Sequence, residues 1–259
     1  MPLPPGTGSP GGAGDPLLPL LDLPGVAAAI ASARESVDQL LGNRVLRRHS
    51  AAVTTESALR GARASAALDG VDVPLPQLRS GEAGDNPVVR GALRVSAGLG
   101  EVVDTWLRAP LQVLARLHLL AAAGAAGSEA LGRPVGRPEA AARLNSLGRL
   151  IAGETTAPAL LLAPIVHGEL RALAAFGSAD GIVARAASRL TLISRGLDPK
   201  SVTVPEVGHL ERRAEYDTAL AGYATGTPEG IASWLRHCCV AVELGAREAA
   251  AICEAVRRR

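Results

Sequence analysis

From Pro158 to Leu173 the chain reads PALLLAPIVHGELRAL, which on a helix is apolar on nearly every face. A helix of that kind has no side it can turn to water, so it must lie at the centre of a bundle, covered by other helices. The composition agrees. Apolar residues make up 47% of the 259-residue chain but aromatics only 2%, so the core must be built from Leu, Val, Ile and Ala. Abundant Ala and Leu, without β-branched or aromatic runs, favours helix over sheet. The expectation is an all-α fold.

The flanking segments read the same way. Residues 1–16 (MPLPPGTGSPGGAGDP) are rich in Pro and Gly and predict a disordered tail. A helix is expected from Pro24 to Leu41, with Val26, Ile30, Ala33, Val37 and Leu40 on one face. A second is expected over 49–69, ended by Asp69-Gly70. Residues 71–90, with Pro74, Pro76, Gly81, Gly84 and Pro87, predict a long loop with room for a short helical turn. Helical patterning resumes from Val88 to Leu120 with a boundary at Pro110, and 121–138 reads as a loop. A helix follows around Leu144 to Ile151, then the central helix, then one from Ile182 to Arg195 closed by Gly196. Two more run from Pro205 to Tyr223 and from Thr227 to Val256. The expected organisation is a tail (1–16), an N-terminal helical region (17–85) and a helical core (86–259).

Several function classes are excluded. A net charge of +2, spread along the chain, leaves no electrostatic footprint for nucleic acid or anionic lipid. Two Tyr, two Trp and one Phe cannot make a base-stacking platform. No run of about twenty uncharged apolar residues offers a membrane span. Leu17 to Ile30 fails the signal-peptide pattern, and Cys238, Cys239 and Cys253 read as reduced thiols in the core, so the cytoplasm is the expected compartment. GxSxG and Walker A sequences are absent, and Gly98-Leu-Gly100 lacks the third glycine and the βαβ setting of a dinucleotide loop. His49, His118, His209 and His237 are scattered, with no metal-ligand spacing. His167 and Glu169 lie two apart and so do not share a helix face.

One constellation carries a signature. Residues 174–185, AAFGSADGIVAR, lie between two expected helices, and this segment resembles the HPFx(D/E)GNGRxxR motif of the Fic/Fido family. Phe176, Gly181 and Arg185 coincide with the family's phenylalanine, second glycine and final arginine. Ala179 stands at its first glycine and Asp180 at its asparagine. Upstream, Ser65-Ala-Ala-Leu-Asp69-Gly70 resembles the family's inhibitory-helix motif (S/T)xxxE(G/N), with Asp for Glu. Downstream, Arg213, Tyr216, Leu220 and Trp234 resemble a further family stretch. The resemblance covers roughly residues 50–245. It implies a Fic/Fido-like helical bundle with a central buried helix and a helix–loop–helix signature.

The resemblance also implies a chemistry that these residues do not supply. The family's histidine, general base towards a target hydroxyl that attacks the α-phosphate of ATP, corresponds to Ala174. Losing a positioned base costs about 10²–10⁴ in rate. Its Mg²⁺-holding acid corresponds to Ser178, a poor ligand for a hard cation. Its first arginine corresponds to Ile182, which has no donor for phosphate. The phosphate nest becomes Ala-Asp-Gly, and a carboxylate at Asp180 repels an anion about 4 Å away by several kcal/mol at an effective dielectric of about 20. Asp180 is expected instead to cap the helix beginning at Gly181. Arg185 is expected to pair with Asp69 or with Asp180.

Three readings follow. The first is a pseudoenzyme without cofactor that acts as a binding or regulatory module, with a protein partner, weak nucleotide affinity or a homodimer. The second is an AMP- or phosphate-transferring enzyme using ATP and Mg²⁺ with substituted residues such as His167, Glu169 or His209. The third, resting on Ser65, Asp69 and Gly70, is an antitoxin-like half of a toxin pair.

Overall fold

The computed structural model describes residues 14–82, 85–125, 127 and 129–258. Within them the chain forms twelve α-helices and no strand: α1 (Val26–Leu41), α2 (Val45–Arg48), α3 (Ser50–Leu68), α4 (Leu75–Ser80), α5 (Pro87–Trp106), α6 (Pro110–Ala122), α7 (Pro138–Arg149), α8 (Ala159–Leu173), α9 (Asp180–Ser194), α10 (Pro205–Glu211), α11 (Arg213–Thr225) and α12 (Pro228–Arg257). The all-α expectation holds. Helix starts follow proline chemistry: α5, α6, α7, α10 and α12 all begin on a proline, whose fixed φ suits the first helical position and whose missing N–H would be unpaired there anyway. Asn86 caps α5 by accepting from the Val88 and Val89 amides, and Thr227 caps α12 through the Gly230 amide.

The apolar segment is the axis of the molecule. Every residue of α8 except Arg171 and Ala172 is buried. Around it pack α9, α12, α11, α7 and α1. Pro164 inside α8 has no N–H to give, and its carbonyl accepts from the Trp234 indole at 2.9 Å, tying α8 to α12. The N-terminal helices are part of the same body: α3 lies against α5, α9, α10 and α12, and α1 runs along α12.

Three expectations need correction. Of the predicted tail, residues 1–13 lie outside the described residues, but the chain is already anchored at Asp15. Its carboxylate accepts from the Leu17 amide and from the Thr155 and Thr156 hydroxyls at 2.8–3.0 Å. The loop expected over 71–90 holds the short helical element it had room for, α4, but ends early because α5 already starts at Pro87; residues 83 and 84 lie outside the described residues. The helix expected from Pro205 to Tyr223 is two helices, broken at Arg212 (φ −115°, ψ 40°) with neither Pro nor Gly to mark it. The break re-aims the chain so that Arg213 reaches the end of α3, donating to the carbonyls of Ala67 and Leu68 at 2.7 and 3.2 Å.

Candidate functional site

The helix–loop–helix signature is formed by α8, residues 174–179 and α9. Ala174 closes α8 in the left-handed conformation (φ 42°) and is exposed, and Ala179 enters α9 in the same region (φ 51°). Between them Ala175 and Phe176 turn inward and are buried. The loop is strapped from outside by the segment before α7. Val135 donates its amide to the Ala175 carbonyl at 2.7 Å, and the Arg137 guanidinium donates to the carbonyls of Leu173 and Ala174 at 2.5 and 3.2 Å. A cation over the last carbonyls of a helix compensates their unpaired dipoles.

Asp180 does not cap α9 as expected. It is the first helical residue, and its carboxylate reaches back to accept from the Phe176 amide at 2.9 Å, closing the loop on itself. Burial raises its pKa, against the lowering effect of that hydrogen bond and of His118. The carboxylate beside the first turn of α9 is Asp69. A Cβ at Gly181 would fall within 3.0 Å of the Asp69 Oδ1, Oδ2 and Cγ atoms, so only glycine leaves the carboxylate room there. This acidic group lies where a helix N-terminus favours negative charge.

Arg185 pairs with Asp69, not Asp180. Its Nη2 donates to Asp69 Oδ1 at 2.7 Å and to the Ser65 carbonyl at 2.9 Å, and its Nε donates to Ser65 Oγ at 2.9 Å. The guanidinium side chain is 2% exposed and the Asp69 side chain 21%. Burial works against the charge, but Asp69 and the Tyr216 phenol outweigh it and push the arginine pKa up. The spacing of Ser65 and Asp69 puts both on one face of α3, one turn apart. The end of α3 that holds Asp69 is a Schellman turn. The Val71 amide donates to the Ala66 carbonyl and the Gly70 amide to the Ala67 carbonyl, with Gly70 at φ 92°. Arg213 braces the same carbonyl end.

Ser178 and Ile182 have other engagements. Ile182 is 3% exposed and part of the main core. Ser178 Oγ lies 3.0 Å from His118 Nε2, and the His118 ring stacks on Phe176 with centroids 4.4 Å apart. His118 Nδ1 accepts the Gly132 amide at 2.9 Å, so Nε2 carries the ring proton and donates to Ser178. Burial lowers the His118 pKa, with Asp180 opposing. His118 belongs to the site and was missed in the sequence. It comes from α6, sixty positions before Ser178 in the chain, and no motif joins them.

The three candidates for a substituted base lie elsewhere, His209 being buried in α10 with Nδ1 3.0 Å from His237 Nε2. His167 is wholly buried in α8 with Nε2 3.1 Å from the Tyr216 hydroxyl. Glu169 is buried, accepting from Arg143 at 2.8 Å and from the Tyr223 hydroxyl at 2.8 Å.

No protein-family model and no curated protein matches this sequence. Solved structures do. The crystal structure of a Fic family protein from Desulfovibrio desulfuricans G20 superposes with a TM-score of 0.65 at 19% identity, over 86% of this chain and 74% of that one. A fragment of Fic-1 from C. elegans gives 0.69 at 16% identity, over 89% and 73%. The chain has the Fic fold.

Proposed function

We propose that this Fic-fold chain is a pseudoenzyme, a binding or regulatory module that does not transfer nucleotide. The observation that carries the reading is the occupation of the first turn of α9 by the chain's own Asp69, locked there by Arg185. A phosphate arriving at that turn would meet a carboxylate already in place, and the one signature arginine is spent on it. The remaining positions support the same conclusion. Ala174 puts a methyl group where the resemblance puts a general base, and Ile182 buries an aliphatic chain where it puts a guanidinium. The only described imidazole against the loop, His118, presents an N–H to Ser178 and so has no lone pair there to take a proton. His167 and Glu169 are sealed in the core by tyrosine and arginine partners.

The test is calorimetric titration with Mg·ATP together with incubation of the purified chain, α-³²P-labelled ATP and cell lysate. No label transfer is expected. Nucleotide binding is expected to be weak in the wild type and tighter in Asp69→Ala, which frees Arg185. Transfer of label to any protein by the wild type would overturn the proposal.

A further inference from the structure

Close to Arg185, three ligating side chains from three helices converge in the core: His167 of α8, His209 of α10 and Cys238 of α12. Their ligand atoms all lie within 4.8 Å of one another and all three residues are buried. His167 Nδ1 is shut off from solvent with no hydrogen-bond partner. Leaving a buried polar atom unpaired is destabilising, a cost that an apolar side chain of the same shape would not incur. Each imidazole is also oriented through one nitrogen. His167 Nε2 lies 3.1 Å from the Tyr216 hydroxyl, and His209 Nδ1 lies 3.0 Å from His237 Nε2. Metal-bound histidines are held in this way, one nitrogen hydrogen-bonded to a neighbouring side chain and the other on the metal.

We propose that His167, His209 and Cys238 form a three-coordinate site for a soft monovalent transition-metal ion, Cu(I). Thiolate and imidazole are the donors such an ion prefers. Neutral imidazole is the ligating form of histidine, so only the Cys238 thiol must give up a proton, which passes to solvent as the Cu–S bond forms. One Cu(I) and one thiolate then cancel. Zn(II) would leave a net positive charge near the Arg185 guanidinium in a dry core, and would want a fourth ligand that the described residues do not supply. The rings of Tyr216 and Trp234 flank the site, with His167 and Trp234 centroids 5.0 Å apart and His209 and Tyr216 centroids 4.9 Å apart. A site so enclosed is loaded as the chain folds.

The experiment is to unfold the full chain, refold it anaerobically with Cu(I) as its acetonitrile complex, desalt, and measure bound copper and its X-ray absorption. About one copper per chain is expected, with one sulfur and two nitrogen neighbours, and a urea midpoint above that of the metal-free protein. Cys238→Ser and His209→Gln should retain little copper, whereas Cys239→Ser, the adjacent thiol in a different apolar cluster, should retain it in full. The proposal is overturned if the wild type retains no copper, if Cys238→Ser retains as much as wild type, or if an equal concentration of Zn(II) displaces the copper. Should the variants fail to fold, the absorption spectrum of the wild type decides alone, since a site with no sulfur neighbour, or with two, excludes this ligand set.

Discussion

Replacing Asp69 with Ala removes the carboxylate that pairs with the buried Arg185 guanidinium. Arg185 retains its two hydrogen bonds to Ser65 but loses its counter-charge. Breaking a fully buried ion pair from one side costs about 3–5 kcal/mol, because the surviving charge stays desolvated. Asp69 is 21% exposed, so water can partly replace it, and the cost should fall to about 2–3 kcal/mol. For a chain of this size that is a fall in Tm of about 4–12 °C. Urea unfolding followed by fluorescence of the buried Trp106 and Trp234 measures it, with an unchanged m-value showing that the folded state stays compact. The pair can be isolated with Arg185→Met and the double variant. With both partners gone no charge is stranded, so the double variant should lose about 2 kcal/mol less than the sum of the singles. Additive losses, or a cost for Asp69→Ala below about 0.5 kcal/mol, would refute the view that this pair locks α3 onto the signature helix.

Gly181→Ala would drive a methyl group into the Asp69 carboxylate and should cost about 1–3 kcal/mol in denaturant unfolding, but much less in an Asp69→Ala background where the space is clear. Burial holds His167 and His209 well below the ordinary histidine pKa and His237 at about 4, so the unfolded chain takes up protons that the fold refuses. Stability of the metal-free protein should therefore be full above about pH 6.5 and fall as pH drops from there towards 4, by up to about 4 kcal/mol per unit for three groups. His237→Gln should flatten that slope by about 1.4 kcal/mol per unit, read from urea midpoints at pH 7, 6 and 5. Asp15 is pushed up by desolvation, but its hydrogen bonds from Leu17, Thr155 and Thr156 outweigh this and hold it well below the usual carboxylate range. Asp15→Ala should release the segment before α1, seen as faster amide exchange at Leu17 with little change in global stability.

What the sequence determined by itself was local. Proline at helix starts, the apolar run in α8, the Asp69-Gly70 stop and the order of residues around Phe176, Gly181 and Arg185 all depend on near neighbours, and the helical bundle and its signature loop were legible from them. Even there the break at Arg212 escaped, because it is set by what Arg213 must reach on α3 and not by any local helix breaker. Contacts between distant parts of the chain were decided only by tertiary structure. Sequence left Arg185 with two possible carboxylates, and the crossing of α3 over α9 selected Asp69 while the closure of the loop drew Asp180 back to Phe176. The same crossings brought His118 onto Phe176 and gathered His167, His209 and Cys238 from three helices. The physical reason is that periodicity tells which face of a helix is buried, whereas the angle and offset at which two faces meet depend on the summed packing of every residue between them.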